Sequence, residues 1–519
     1  MKPERLAAID IGTNSIRSIV VEVDASGTSK VLDDEKVAVR LGEGLHQNGI
    51  ISPAACKRAM DALSRLKKII EGFGVRAIEA VATSAVRKAA NGAEFIEAIR
   101  REIGLDVSII SGEEEAELAA YSAFNNFELE GTRQLLVDIG GGSLELVTTV
   151  GHHIDEITSL ELGAVYLTET FLRSDPVTDR EHQRLRRHIR KTIKAAFASE
   201  LIPTAGLIGS GGTITAIGSM IMASRREEYG SLHGYELLRS DVVHLLAMLL
   251  RKSTRELRSI PGLNPDRADI IIAGVTVVDE LMDVAQANLL KVNERGIREG
   301  LILKGLHRHK LVAEGKRSRS WRAAVLDFAA SHHFDEKHAL QVARLSLEIF
   351  DAIATPYMLG DSARRILEAA AILHDVGYFI SYSSHHKHSF HLIRHADLFS
   401  FTPRERELIA HVARYHRKSL PKKKHEQFMR LLPADRRLVS RLGGILRLAD
   451  GLDRRRNGII HSVDCNMRNQ SFVIYLSGFD DLSVERVGGQ AKGDLFQTAF
   501  GVKLDLQIVP PDEAISQIA

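Results

Sequence analysis

LLVDIGGGSLELV, Leu135–Val147, decides how the rest of the chain is read. An apolar run leads into Asp138, then come Gly140, Gly141, Gly142 and Ser143, and a second strand-like run follows. The pattern predicts a buried strand, a tight turn and a returning strand. Consecutive glycines expose backbone N–H groups with no Cβ in the way, which suits phosphate oxygens. The aspartate at the strand end adds a carboxylate that can hold Mg2+ or orient a water. Taken alone, the same letters also describe an ordinary hairpin.

The chain uses the device twice. Ala7–Val23 reads AAIDIGTNSIRSIVVEV, in which Asp10, Ile11, Gly12 and Ser15 match Asp138, Ile139, Gly140 and Ser143 at the same spacing. Two such hairpins imply a duplicated α/β domain with two turns facing each other across a cleft. A third glycine turn, Gly209-Ser210-Gly211-Gly212-Thr213, follows Leu207-Ile208 and opens a helix-like stretch. A helix N-terminus placed this way offers amides to an anion.

Between these turns, Val37–Gly44 reads as a strand ending in a glycine-rich loop, and Pro53 starts a helix with Met60, Leu63, Leu66 and Ile70 on one face. Ile78–Ala82 is a strand followed by Thr83–Arg87, and a helix begins near Asn91. Arg87, just past a strand end, can fork phosphate oxygens or sit on the surface. Val107–Ile110 is another strand, and Ser111-Gly112 opens a helix carrying Glu113, Glu114 and Glu115. Acidic residues in a first turn serve the cap and the helix dipole. Alternatively one of them turns into the cleft and activates a water; spacing does not choose which.

With 519 residues, the chain has room for three or four domains. Its net charge of +2, from 69 basic and 67 acidic residues, does not mark a dedicated nucleic-acid binder. Two distant cysteines, Cys56 and Cys465, argue against a disulfide framework and for a reducing cytoplasm. Neither a signal peptide nor a membrane-length apolar run is read in the sequence, so a soluble protein with no membrane association is expected.

Asp10–Ser15, Thr83–Arg87, Ser111–Ala116, Asp138–Ser143 and Gly209–Thr213, in this order, resemble the exopolyphosphatase/guanosine pentaphosphate phosphohydrolase family. Leu160–Val165 and Arg267-Ala268-Asp269 extend the resemblance, which covers essentially residues 1–310 and continues more loosely to the C-terminus. It implies the duplicated actin-like (ribonuclease H-like) α/β fold, with residues 1–125 as the first domain and 126–310 as the second. It further implies that Glu115 is the catalytic base, and that Asp138 and Glu145 sit with Mg2+ or the attacking water. Asp10, Gly12, Thr13, Asn14, Ser15, Arg87, Gly140, Gly141, Gly142, Ser143, Gly209, Gly211, Gly212 and Thr213 are the expected phosphate contacts. A homodimer is also implied by the resemblance.

From about 172 to 200 a helical stretch is rich in bases: Arg173, Arg180, Arg184, Arg186, Arg187, Arg190, Lys191 and Lys194. It reads either as a solvated face or as a landing strip for a polyanion; interleaved aromatics that would favour nucleic acid are missing. Residues 313–322, AEGKRSRSWR, read as a linker.

Beyond the linker the periodicity turns helical. His338, the pair His374-Asp375 and the distant Asp450 lie on separate helical stretches and resemble the HD metal-dependent phosphohydrolase pattern. Such a set suits a second divalent metal with open positions. A histidine run, His385, His386, His388, His391 and His395, followed by His411 and His416, lies between them. Residues 320–465 are therefore expected to form an all-α HD-like domain, working or relic, and 466–519 a small α+β unit.

The expected activity is release of orthophosphate from the end of inorganic polyphosphate, with guanosine pentaphosphate as a further substrate and Mg2+ as cofactor. Three alternatives remain at this stage: a small-molecule kinase of the same superfamily, a non-hydrolytic sensor of guanosine tetra- or pentaphosphate, and a two-site enzyme with an active HD centre.

Overall fold

The computed structural model describes residues 4–23, 29–127, 129, 133–196, 206–311, 320–398, 400–468, 471–478 and 480–509. The linker expected at 313–322 falls mostly outside them; its last residues already belong to the helix Trp321–Ser331, capped by Ser320. The chain divides into two compact units, residues 1–228 with 232–318, and 229–231 with 319–519.

The first unit contains two sheets laid out on one plan. In the first, β1 (Glu4–Ile11), β2 (Ser15–Val23) and β3 (Ser29–Ala38) form an antiparallel meander, and β4 (Ala77–Ala82) and β5 (Ser108–Ile109) extend it in parallel, in the order β3-β2-β1-β4-β5. The second repeats this with β6 (Arg133–Ile139), β7 (Leu144–Val150) and β8 (His153–Leu160) as the meander. Its parallel extension is β9 (Leu207–Ser210) and β11 (Leu289–Val292), edged by the short antiparallel β10 (Glu236–Leu238). The duplicated α/β architecture is thus present. Two predicted strands differ: within Val37–Gly44 only Val37 and Ala38 are strand, the end of a β3 that begins at Ser29, and β5 keeps only two residues.

Parallel strands need covering helices on the sheet faces. Pro53–Gly72 supplies one, entered through Ser52, whose hydroxyl accepts from the Ala55 amide at 3.2 Å, and it buries Ala59, Leu63, Leu66 and Ile70 against the first sheet. The other face of that sheet is covered from far along the chain. Leu301, Ile302 and Leu306, on the helix Ile297–Arg308, pack with Leu6, Ala8, Ile19 and Val21. At Gly300 this helix crosses Gly112–Asn126 so closely that a Cβ would lie 2.1 Å from the Leu118 carbonyl. Division at residue 125 therefore does not describe the packing, because the last helix assigned to the second domain completes the core of the first.

The second unit is helical until β12 (Ile460–Arg468), β13 (Ser471–Gly478) and β14 (Lys503–Ile508) form a three-stranded sheet. Phe472, Ile474, Leu476, Phe496 and Leu504 join Leu367, Leu373, Leu446 and Leu448 in one apolar core. The strands expected as a separate unit from residue 466 thus begin at 460 and share the helical core.

Candidate active site

The two matched hairpins are built alike. The Gly12 amide donates to the Ser15 carbonyl at 3.1 Å, and the Gly140 amide to the Ser143 carbonyl at 3.0 Å. Each turn brings a strand-end aspartate to the same cleft, Asp10 from β1 and Asp138 from β6. Register then distinguishes them: Asp10 lies opposite Arg17, whereas Asp138 lies opposite Glu145. One hairpin therefore presents an acid–base pair and the other two acids.

The halves approach closely here. A Cβ on Gly142 would lie 2.6 Å from the Ser84 hydroxyl and 3.0 Å from that of Thr13, so only glycine permits this contact. The cleft, about 820 Å³ counting its open mouth, is lined by Asp10, Gly12, Thr13, Asn14, Ser15, Glu115, Asp138, Gly140, Gly141, Gly142, Ser143, Gly211 and Gly212 among the expected residues.

Helix capping separates the three glutamates. Ser111 caps the helix Gly112–Asn126, its hydroxyl accepting from the Glu114 amide at 3.0 Å, while the Glu114 carboxylate accepts from the Ser111 amide at 2.9 Å. That box occupies Glu114 at the surface, and Glu113 is exposed beside it. Glu115, one residue further round, is 5% exposed and lines the cleft.

Three expected phosphate contacts have other surroundings. The Arg87 guanidinium donates to the Ile110 carbonyl at 2.6 Å and to Glu115 Oε2 at 3.2 Å, and it lines a neighbouring pocket with Lys88 and Glu161. It orients a carboxylate rather than lining the cleft wall. Gly209 is a strand residue packed on Ile214, and the buried Thr213 accepts from Arg267 Nη2 at 3.3 Å. Glu145 is 1% exposed, beneath the cleft, and accepts from the Ser159 hydroxyl at 3.1 Å.

Among the cleft residues that escaped the sequence reading as ligand contacts are Arg17, Arg267, Arg298 and Glu299. The duplication carried a signal for Arg17, which occupies the position of Glu145. The turn Glu294–Gly296 and the start of the helix Ile297–Arg308 had no motif, and only the fold brings them to the cleft. Arg298 pairs with Asp34 and Glu299.

Burial dominates the electrostatics. It pushes the Asp10 carboxyl up to about 6 against the pull of Arg17 and Arg298, and raises Asp138 although Ser210 donates to its Oδ2 at 2.8 Å. Glu145 is pushed up to about 8, with the like charge of Asp138 adding to burial. Glu115 is raised well above the carboxylate range by burial and then by Glu145, with Arg87 opposing. Three buried acids and the half-buried Asp10, all resisting ionisation together, suit a cation. Asp10 Oδ1 is buried without a hydrogen-bond partner, as is the Ser84 hydroxyl. Among the described residues, no three acids of the cleft bring ligand oxygens within 4.8 Å of one another. That donor set fits Mg2+, which commonly takes one or two carboxylates and completes its shell with waters and substrate phosphates.

In the second unit, His338, His374, Asp375 and Asp450 do come together, from the helices Glu336–Ile353, Asp361–Leu373 and Pro433–Leu452 and the end of the second of these. His385 and His416 join them. His411 does not; it is buried against Glu407 at 3.4 Å.

No helix among the described residues is long and apolar enough to cross a membrane. Residues 19–309 match the model of the Ppx/GppA phosphatase family, and residues 321–484 match that of Ppx/GppA phosphatase, domain III. A Ppx/GppA family member of Aquifex aeolicus is 28% identical with a TM-score of 0.52, the match covering 59% of this chain and 99% of that one. An exopolyphosphatase from Cytophaga hutchinsonii is 27% identical with a TM-score of 0.56, over 60% of this chain and all of the other.

Proposed function

As the chain belongs to the Ppx/GppA phosphatase family, we propose that its cleft hydrolyses the terminal phosphoanhydride of inorganic polyphosphate, and of guanosine pentaphosphate, releasing orthophosphate. The observation that carries this is Glu115: alone of the three adjacent glutamates it turns into the cleft, held by Arg87, between two facing glycine turns.

The terminal phosphate sits against the turns Gly12–Ser15 and Gly140–Ser143, whose amides donate to its oxygens, with Gly211 and Gly212 adding a helix N-terminus. Arg17 and Arg267 neutralise charge on the phosphates. Glu115 takes a proton from the attacking water, and the bridging P–O bond breaks as the remaining chain leaves. Asp138, with the orphan oxygen of Asp10, would hold Mg2+, which supplies further charge neutralisation when bound, and Glu145 backs Asp138 from beneath the cleft. Arg87 keeps the Glu115 carboxylate aimed at the water. Positioning and electrostatics provide most of the catalysis in phosphoryl transfer, and these groups supply both.

The basic helix has two faces. Arg186 and Arg190 pair inward with Glu280 at 2.6 Å each, so they are structural. Arg180, Arg184, Arg187, Lys191 and Lys194 form one exposed stripe at helical spacing, suited to the trailing phosphates of a long chain.

Phosphate release from long-chain polyphosphate and from guanosine pentaphosphate, with Mg2+, tests the reading. Glu115→Gln should lose both activities by at least two orders of magnitude. Undiminished turnover in that variant, or tight nucleotide binding without turnover in the wild type, refutes it.

A further inference from the structure

The second unit gathers six ligand-type side chains around one buried point. Asp375 is at the centre. Its Oδ1 lies 3.2 Å from His385 Nε2 and 3.6 Å from His416 Nε2, and its Oδ2 lies 3.6 Å from His374 Nε2 and 4.0 Å from His338 Nε2. Asp450 Oδ1 stands 3.5 Å from His338 Nε2. The ligand atoms fall into two sets, each within 4.8 Å: His338, His374 and Asp450 in one, Asp375, His385 and His416 in the other.

Outside the cluster, the other nitrogen of each ring is already engaged. His338 Nδ1 meets Asp453 Oδ2 at 2.7 Å, and Asp453 in turn accepts from the Gly458 amide at 2.9 Å. His374, His385 and His416 direct Nδ1 at the carbonyls of Ala371, Tyr382 and Ala413, at 2.7, 3.1 and 2.6 Å. A carbonyl only accepts, so these nitrogens carry the proton and every Nε2 turns a lone pair inward. Backing of this kind fixes the tautomer and aim of metal-ligating histidines. His338 Nε2 and His374 Nε2 have no hydrogen-bond partner, although the residues are 1% and 0% exposed. Unmet lone pairs at such depth are costly unless a cation takes them.

From this geometry we infer that the second unit holds a two-metal centre that hydrolyses nucleotide phosphate esters. One divalent ion is bound by His338, His374 and Asp450, the other by His385 and His416, and Asp375 bridges them with its two oxygens. Three or four protein ligands per ion leave positions open for water and a phosphate oxygen. Arg456, 2.5 Å from Asp375 Oδ2, and Lys492, paired with Asp450, stand beside the carboxylates and can turn to an incoming phosphate. Tyr378 stacks on His385 with centroids 4.1 Å apart, and Phe379 and Tyr382 are 56% and 70% exposed beside it. Exposed rings next to cations suit a planar base carrying a phosphate. Water adds to phosphorus, the ester P–O bond breaks, and the proton lost by the water ends on the leaving oxygen; no redox partner is involved.

The test uses the full chain carrying Glu115→Gln, so that the cleft of the first unit is silent and failure of one site is not mistaken for failure of the other. The protein is stripped with chelator, reloaded with Mn2+ and desalted, then read by metal analysis and low-temperature electron paramagnetic resonance. An exchange-coupled Mn2+ pair is expected, reduced to a single uncoupled ion by His385→Ala/His416→Ala and lost in Asp375→Asn. His411→Ala, a buried histidine outside the set, should leave the pair intact. Hydrolysis of p-nitrophenyl phosphate, and of nucleoside monophosphates with at least tenfold preference, should follow the coupled signal through these variants. A single uncoupled ion in the parent, or coupling that survives Asp375→Asn, overturns the centre. A coupled pair without ester hydrolysis overturns the activity.

Discussion

Asp10→Asn should stabilise the protein at alkaline pH while disabling it. The Asp10 carboxyl lies half-buried in the cleft wall with one oxygen enclosed and without a partner, and its ionisation is pushed from 3.8 up to about 6. A group raised in the folded state contributes most below its unfolded value, and stability falls as pH rises through the folded value. The full cost of ionising Asp10, about 3 kcal/mol, is therefore present above pH 6. Asparagine imitates the protonated carboxyl in shape without the charge, so it should recover most of that cost at pH 8 and nothing at pH 3. For a unit of this size the gain corresponds to a melting shift on the order of 5 °C in metal-free buffer. Thermal scans of wild type and variant at pH 3.5, 6 and 8, with chelator and with Mg2+ plus phosphate, measure it. Saturating Mg2+ should shrink the difference at pH 8, because the ion stabilises only the ionised wild-type site. Equal melting temperatures at pH 8 in chelator, or a gain of the same size at pH 3.5, would refute the electrostatic account of the cleft.

Glu145 titrates near 8 and Glu115 is also raised, so metal-free stability should fall as pH climbs from about 4.5 through 8; Mg2+ should raise the melting temperature more at pH 8.5 than at pH 5. Gly142→Ala drives a methyl into the Ser84 hydroxyl and should lower turnover at least tenfold with little loss of stability; adding Ser84→Gly should restore part of it. Arg186→Ala/Arg190→Ala strips the partners of Glu280, which is 0% exposed, and should cost about 3 kcal/mol in denaturant titration. Arg187→Ala/Lys191→Ala, on the exposed side of the same helix, should leave stability unchanged and raise KM for long polyphosphate more than for short chains.

Both hairpins were legible because their information is local: a strand-end aspartate and turn glycines at fixed spacing need no partner to be recognised. Glu115 was legible as a member of a trio, and the capping box explains why it is the inward one, since Ser111 claims Glu114 and the helical turn carries Glu115 round to the cleft. Arg267 and the stretch 294–298 reach the aspartate turns only through tertiary structure, across more than a hundred residues of chain. Arg87 was visible as a strand-end arginine, but its attachment to a carboxylate rather than to the cleft wall depends on where the next helix lies. Within the histidine run, neighbours alternate between core, surface and cluster with no period that marks His385. His416 stands out only once its helix is docked.

The return of Ile297–Arg308 to the first sheet has a consequence for synthesis. Leu6, Ala8, Ile19 and Val21 leave the ribosome nearly three hundred residues before Leu301, Ile302 and Leu306. At about 5–20 residues per second, that face waits roughly 15 to 60 seconds for its own cover. During that interval the nascent sheet is a sticky surface with nothing of its own to bind. Chaperone demand should therefore concentrate on the N-terminal strands, and a chain stopped before residue 297 should aggregate rather than yield a soluble first half.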